Sequence, residues 1–288
     1  MNLNFVKSKI GFMQGRLSEL VDGKIQAFPW DEWMNEFDLA DSINLRLMEW
    51  TLDQDRIDEN PLMTQTGQDL ILSLCNKYQI KIRSLTGDCF MQEPFWKNQG
   101  SAQESLKVNF FKVCEACNKI GINTIVIPLV DNGRIENKFQ EKELVNFMLS
   151  NIDFFERYSI KIAFESDLTP IQLLKFINKF PKSIFGINYD TGNSSSLGFN
   201  PIYEIDLYGA RIINVHIKDR KLGGYSVPLF HGDTNFKDIF SKLNSEGYSG
   251  NYIFQTARAK DGKHLDLLQN YFEIISSMIL KYNSKNLN

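Results

Sequence analysis

In the second half of the chain, four apolar segments each end in a polar side chain. The segments are rich in isoleucine, valine and aromatic residues, and the side chains that close them are Glu165, Asp190, His216 and Gln255. A bare charge after a buried strand is costly unless it is paired or ligated. Two carboxylates, an imidazole and an amide oxygen form a mixed donor set that suits one divalent ion of Mn, Co, Mg or Zn. The residue types therefore predict a metal site.

These segments belong to a regular alternation of two kinds of segment along the chain. Short apolar runs of strand-forming residues are each followed by a longer segment with helical periodicity. The eight runs begin at Lys9, Leu45, Ile80, Asn123, Ile160, Ile184, Arg211 and Asn251. Eight such units without a break in composition predict an α/β fold in which residues 1–288 form a single (β/α)8 TIM barrel. A doubly wound open sheet is the alternative, but "GFMQGRLS" after the first run lacks the full glycine fingerprint of a dinucleotide site.

The composition of the 288-residue chain limits the classes of function. Hydrophobic residues make up 43% and charged residues 23%, which is typical of a globular protein with a sizeable core. The net charge of -3 gives no basic excess, so a nucleic-acid partner is not expected. The four cysteines lie outside any disulfide-dense segment, and the sequence has no secretion signal and no run of roughly 20 apolar residues. We therefore expect a cytoplasmic protein that does not bind membranes, and homo-oligomer formation stays open.

Further polar and aromatic residues stand where a barrel would carry its active site, at the carboxyl ends of the strands and in the loops that follow them. The candidates for binding a substrate there are Gln14, Arg16, Trp30, Glu49, Asp88, Trp96, Asn193, Asp219, Arg220 and Arg258. We expect the two tryptophans to form an aromatic lid over a sugar face. Arg16, Lys218 and Arg258 are expected to hold a carboxylate or phosphate of the substrate. Glu49 and Asp88 stay open between such a role and a structural one.

The motifs "FESD", "YDTGN" and "VHIKD", in that order, resemble those of the xylose isomerase-like barrel superfamily. All eight units can be placed, and "HIKD" followed by "PLFHGDTNF" is the most diagnostic part. Members of that superfamily include sugar isomerases and epimerases, inosose dehydratase and, more distantly, endonuclease IV. The resemblance implies that Glu165, Asp190, His216 and Gln255 bind the metal. It also implies isomerisation or epimerisation of a small sugar or sugar derivative, in which Glu165 moves the proton beside the carbonyl through an enediolate.

The eighth strand departs from the epimerase pattern at Gln255. In the epimerase branch a glutamate stands here and forms an acid/base pair with the one at position 165, and a histidine often stands at the position of Asn193. An amide has no useful proton affinity near neutral pH. We therefore expect single-base chemistry by Glu165, with Lys218 as a candidate catalytic partner on the other face. This chemistry favours an aldose–ketose shift or a dehydration over a two-base inversion.

Three alternatives to an isomerase or epimerase stay open. The first is a sugar-derivative dehydratase of the same superfamily. The second is a barrel that binds carbohydrate without catalysis, which the amide at Gln255 keeps open. The third, a phosphodiesterase of the endonuclease IV type, would need more histidine ligands than the three histidines of this chain supply, and a basic groove. The third alternative is therefore the least favoured.

Overall fold

A computed structural model describes residues 2–284 and contains a closed barrel of parallel strands. The strands are β1 (Ile10–Met13), β2 (Leu47–Thr51), β3 (Lys81–Thr86), β4 (Thr124–Leu129), β5 (Lys161–Ser166), β6 (Phe185–Asp190), β7 (Ile212–Ile217) and β8 (Asn251–Phe254). Their order around the barrel is β1–β8–β7–β6–β5–β4–β3–β2, and β2 closes it on β1. Each strand lies in one of the eight predicted runs, so the predicted TIM barrel is confirmed. Because β1 pairs with both β2 and β8, the open-sheet alternative is wrong.

Helices surround the barrel and fill several of its loops. They are α1 (Leu3–Lys7), α2 (Asn35–Ser42), α3 (Gln65–Tyr78), α4 (Asp88–Gln92), α5 (Gly100–Ile120), α6 (Lys138–Ser150), α7 (Ile152–Arg157), α8 (Pro170–Ile177), α9 (Thr191–Ser196), α10 (Pro201–Tyr208), α11 (Phe236–Ser245) and α12 (His264–Ser284). Short 3-10 turns cover Ile57–Glu59, Pro61–Met63, Phe95–Lys97, Asp131–Gly133 and Gly209–Arg211. After β7 the chain forms a small antiparallel hairpin of Asp219–Arg220 and Ser226–Val227. Within residues 2–284, no helix is both long and apolar enough to cross a membrane.

Helix α5 illustrates how the sequence specifies the outer layer. Phe110, Val113 and Cys117 recur at helical spacing, and all three are fully buried against the barrel. The helix ends at Gly121, whose φ of 86° lies in the left-handed region that a residue without a Cβ adopts at little cost. The chain then turns back into β4. The cysteines of this helix are free thiols that fill the core.

The strand register brings polar side chains together at the carboxyl end of the barrel. Asp190 at the end of β6 lies beside His216 of β7. Below the end of the barrel, the interior holds a layer of polar side chains that are all 2% exposed or less. The members of this polar layer are Glu49, Ser84, Thr86, Asn188, Asn214 and His216. Buried polar groups need hydrogen-bond partners, so the layer must be internally paired.

Candidate metal centre and active-site cavity

Three of the four predicted metal ligands converge at the carboxyl ends of consecutive strands. Glu165 of β5, Asp190 of β6 and His216 of β7 are all buried, and each offers a ligand atom within 4.8 Å of the other two. Carboxylate oxygen and imidazole nitrogen are donors that Zn and Mn share, and carboxylate oxygen also suits Mg. The donor set and its geometry therefore fit a single divalent ion.

The two oxygens of Asp190 have separate tasks. Oδ1 accepts hydrogen bonds from the backbone N–H groups of Gly192 at 2.9 Å and Asn193 at 2.8 Å, and so caps the start of α9. Oδ2 accepts a hydrogen bond from Lys218 Nζ at 3.2 Å. The cap fixes the carboxylate plane, which leaves Oδ2 as the oxygen available to a metal.

Two asparagines fix the carboxylate of Glu165. Asn193 Nδ2 donates to Oε1 at 2.8 Å, and Asn188 Nδ2 donates to Oε2 at 2.7 Å. Oε2 also lies 3.2 Å from His216 Nδ1. Asn193 thus occupies the position at which the epimerase branch often carries a histidine, and here its amide orients the proposed catalytic carboxylate. Glu165 therefore has a fixed orientation, and it also lines the cavity above the centre.

His216 is oriented from below by Glu49. The distance from His216 Nε2 to Glu49 Oε1 is 2.7 Å, and Ser84 and Thr86 donate their hydroxyl hydrogens to the same carboxylate. Burial raises the pKa of Glu49, but the charge and hydrogen bond of His216 outweigh burial and lower it below its ordinary value. An ionised carboxylate only accepts hydrogen bonds, so Nε2 is the donor and Nδ1 faces the centre. A carboxylate behind the ring is the usual support of a metal-binding histidine.

The same charges act on the proton affinity of the imidazole. Burial lowers the pKa of His216, whereas Glu49 and Glu165 raise it, and the balance brings it to about 10. A histidine must be neutral to bind a metal, so metal binding at this site would release a proton.

Gln255 follows β8 and completes the centre from the far side. Its Oε1 accepts a hydrogen bond from Lys218 Nζ at 3.1 Å, and its Nε2 donates to Gln26 Oε1 at 2.7 Å. These two bonds assign the amide orientation and point the oxygen at the same ammonium that contacts Asp190. Lys218 therefore lies between two of the four predicted ligand oxygens.

A cavity of about 450 Å³ opens above the centre. The predicted site residues that line it are Asp88, Glu165, Asn193, Lys218, Arg220 and Gln255. Several other lining residues carry no sequence signal, among them Gln26, Asp131, Arg134, Leu197 and Tyr225, whereas Asp167 ends the motif "FESD". Most of these lie in loops without periodicity or motif, so only the folded chain brings them to the cavity.

Arg16 and Arg258, which were predicted to hold a substrate anion, do not line this cavity, and their guanidinium groups contact backbone oxygens. Arg258 Nε donates to the backbone oxygens of Gly15 and Ser18, and its Nη1 donates to Ile25 O at 2.7 Å. Arg16 Nη1 donates to the same Ile25 oxygen, and burial lowers the pKa of Arg16 to about 9. Both guanidinium groups hold the segment between β1 and α2 in place.

The two tryptophans that were predicted to form an aromatic lid do not line the cavity. Trp96 is fully buried, donates from Nε1 to Gly133 O at 3.1 Å and packs edge-on against Phe95. Trp30 is half-buried and stacks under the Arg56 guanidinium at 3.8 Å, away from the residues that line the cavity. Both tryptophans pack on the rim and in the core, as aromatic residues in barrel loops often do.

Three further candidates have structural tasks and do not line the cavity. Glu49 lies beneath the centre and supports His216, as described above. Asp219 accepts hydrogen bonds from the backbone N–H groups of Gly232 and Thr234, and so fixes the loop after β7. Gln14 is buried, and its Oε1 accepts from Thr51 N at 3.3 Å. Sequence position at a strand end could not distinguish these supports from groups that face a substrate.

Comparison with known families agrees with this geometry. Residues 37–272 match the family model of the xylose isomerase-like TIM barrel, which covers most of the chain. The chain belongs to this family. Among curated proteins, it is 20% identical over 246 residues to the L-ribulose-5-phosphate 3-epimerase UlaE of Escherichia coli O1:K1 / APEC, covering 80% of this chain and 84% of that protein.

Solved structures of xylose isomerase-like proteins share the fold at low identity. One is the IOLI protein with a bound zinc atom, with a TM-score of 0.74 at 19% identity over 95% of this chain and 99% of that one. Another is a xylose isomerase domain protein from Planctomyces limnophilus, with a TM-score of 0.73 at 16% identity over 96% of this chain and 98% of that one. A D-tagatose 3-epimerase-like protein has a TM-score of 0.66 at 18% identity, covering 94% and 99% of the two chains.

Proposed function

We propose that this protein is a metal-dependent isomerase or epimerase that acts on a sugar or sugar derivative. The observation that carries the proposal is the double position of Glu165, which belongs to the three-strand centre and also lines the cavity. A carboxylate in that position can reach a substrate carbon while neighbouring donors hold the adjacent oxygens. The names of the relatives, L-ribulose-5-phosphate 3-epimerase and D-tagatose 3-epimerase-like protein, support the sugar class.

The roles of the residues follow from their contacts. Glu165, oriented by Asn188 and Asn193, takes the proton from the carbon beside the substrate carbonyl. Asp190 and His216, with Glu165 and the Gln255 oxygen, would hold the metal. A divalent ion held there would draw electron density from adjacent substrate oxygens and stabilise the negative charge that develops on them.

Lys218 and Arg220 extend the positive charge from the centre towards the cavity mouth. Arg220 Nη1 donates to Asn193 Oδ1 at 2.8 Å, and both cations line the cavity. Because Arg16 and Arg258 contact backbone oxygens elsewhere, Lys218 and Arg220 are the cations among the predicted site residues that line the cavity. We propose that they favour a substrate with a phosphate or carboxylate group.

Gln255 favours a second candidate function, the dehydration of a sugar derivative. Removal of a proton by Glu165 starts both reactions, and a dehydration needs no second carboxylate at position 255 to return a proton to carbon. Both candidates require the same first step. Loss of hydroxide as water distinguishes the dehydration, because its product lacks one oxygen of the substrate.

The test is exchange of the carbonyl-adjacent hydrogen in deuterated solvent. Protein reconstituted separately with Mn, Co, Mg and Zn would be incubated with free, phosphorylated and acidic sugars, and each sugar would be followed by NMR. We expect exchange with at least one sugar, and a loss of about 100-fold or more in Glu165→Gln. Asp167→Asn, which removes another carboxylate of the cavity wall, is the matched control. Absence of exchange with every metal and sugar would reject the proposal and favour a carbohydrate-binding barrel.

A further inference from the structure

The amide at Gln255 leaves open which group exchanges protons with the substrate besides Glu165. Among the described residues that line the cavity, the other carboxyl groups are Asp88, Asp131 and Asp167. Asp167 is paired with Arg134 at 2.5 Å, and Asp131 is exposed in the turn after β4. Asp88, by contrast, is only 4% exposed although it lines the cavity. Its small exposed edge faces the place where a substrate would bind.

A hydrogen-bonded chain connects Asp88 to the position of the missing glutamate. Gln26 Nε2 donates to Asp88 Oδ2 at 2.5 Å, and Gln26 Oε1 accepts from Gln255 Nε2 at 2.7 Å. One glutamine thus joins both side chains. Asp88 Oδ1 has no hydrogen-bond partner among residues 2–284, which leaves this oxygen available to a substrate.

Asp88 and Glu165 enter the cavity from different parts of its wall. Asp88 follows β3, Glu165 lies in β5, and β4 separates the two strands in the barrel. Two carboxyl groups that approach from separate strands can face a bound substrate from different directions. Burial, followed by the charge of Asp53, raises the pKa of Asp88 to about 7. A group with this proton affinity both accepts and donates a proton at neutral pH.

We propose that Asp88 is the second proton-transfer group of the reaction and takes the role that an amide at position 255 cannot perform. This inference rests on the proposed function. Glu165 takes the proton from the carbon beside the carbonyl, and the electron pair of the broken C–H bond moves into the enediolate. Asp88, in its protonated form, gives its proton to that carbon from another side and becomes a carboxylate. Proton exchange with solvent then restores both groups, and the step allows the inversion that Gln255 alone would exclude.

The experiment compares product formation with hydrogen exchange in the same reaction. Asp88→Asn keeps an oxygen that can accept from Gln26, so the local structure has a replacement contact. We expect product formation to fall by about 100-fold or more while Glu165-dependent exchange into the starting sugar continues. Asp131→Asn, the same chemical change at the cavity mouth, should leave the ratio of product to exchange unchanged. Melting temperature and metal affinity report whether each variant is folded.

The outcomes separate the two proposals. If Asp88→Asn forms product at the wild-type rate, or loses exchange and metal binding together with turnover, the role of Asp88 is refuted and Glu165 remains the single base. If the variant does not fold, Asp88→Glu decides: a displaced carboxyl should lower the ratio of product to exchange, and an unchanged ratio refutes the role. If the wild-type protein exchanges no hydrogen from any sugar, the proposed function fails, and the role of Asp88 fails with it.

Discussion

The candidate centre has two halves, which we call the strand half and the loop half. The side chains of the two halves are held in place by different contacts. The strand half comprises Glu165, Asp190 and His216, which sit on adjacent strands and are supported by the polar layer beneath them. The loop half comprises Gln255 and Gln26, and Gln26 comes from the long segment between β1 and α2. We therefore expect metal binding to depend on the rigid barrel, whereas the shape of the cavity depends on the contacts that hold the segment between β1 and α2.

The largest expected effect is on the strand half. His216→Ala should weaken the binding of a divalent ion by more than about 100-fold, because it removes a ligand from a rigid strand and leaves Glu49 buried without its partner. Isothermal titration with Mn or Zn measures the affinity, and His231→Ala, at an exposed histidine, is the control. Equal affinities of the two variants would show that the metal binds elsewhere.

A smaller effect, on stability, is expected when the hydrogen bonds that hold the segment between β1 and α2 are removed. Arg258→Met removes charged hydrogen bonds to the backbone oxygens of Gly15, Ser18 and Ile25. We expect the free energy of unfolding to fall by about 2 kcal/mol, since hydrogen bonds to charged groups contribute more than neutral ones. Urea denaturation measures the loss, and Lys260→Met at an exposed position is the control. Metal affinity should change little, and a parallel loss of affinity would mean that the two halves are not independent.

The smallest expected effect is an increase in metal affinity, in contrast to the losses expected above. Lys218 Nζ contacts Asp190 Oδ2 and Gln255 Oε1, and a divalent ion would use the same oxygens. Lys218→Met removes that competing cation, so we expect metal binding to tighten by about tenfold, or roughly 1.4 kcal/mol. Lys221→Met, which removes an exposed lysine nearby, controls for net charge. Weaker binding in Lys218→Met alone would mean that the lysine supports the ligands and does not compete with the ion.

The sequence predicted the strand half well because strand ends are local features. An apolar run that closes on Glu165, Asp190 or His216 can be read without knowledge of the rest of the chain, and parallel pairing then brings the three ends together. The loop half could not be predicted in this way. Gln26 reaches the centre through contacts with Asp88 and Gln255, which lie 62 and 229 residues further along the chain.

Burial explains why several of the predicted substrate-binding residues do not line the cavity. Glu49 lies in the middle of β2 and Asp219 follows β7, and hydrogen bonds hold both carboxylates against the protein, so neither lines the cavity. The direction of a side chain in a strand depends on one residue of register, and β2 shifts register against β3 between Met48 and Glu49. Such shifts cannot be read from apolar periodicity. Trp96, predicted as part of an aromatic lid, is likewise fully buried and packs edge-on against Phe95.

The pairing of Gln26 with Gln255 also bears on how the protein is made. The bond joins positions near the two ends of the chain, and β1 pairs with β8 next to it. During synthesis, the ribosome adds Glu165, Asp190 and His216 before it reaches β8. A nascent chain therefore contains these three residues before the barrel can close. Contacts between such distant segments form late in folding. We therefore expect the part of the cavity wall formed by Gln26 and Gln255 to assemble after the three strands that carry Glu165, Asp190 and His216.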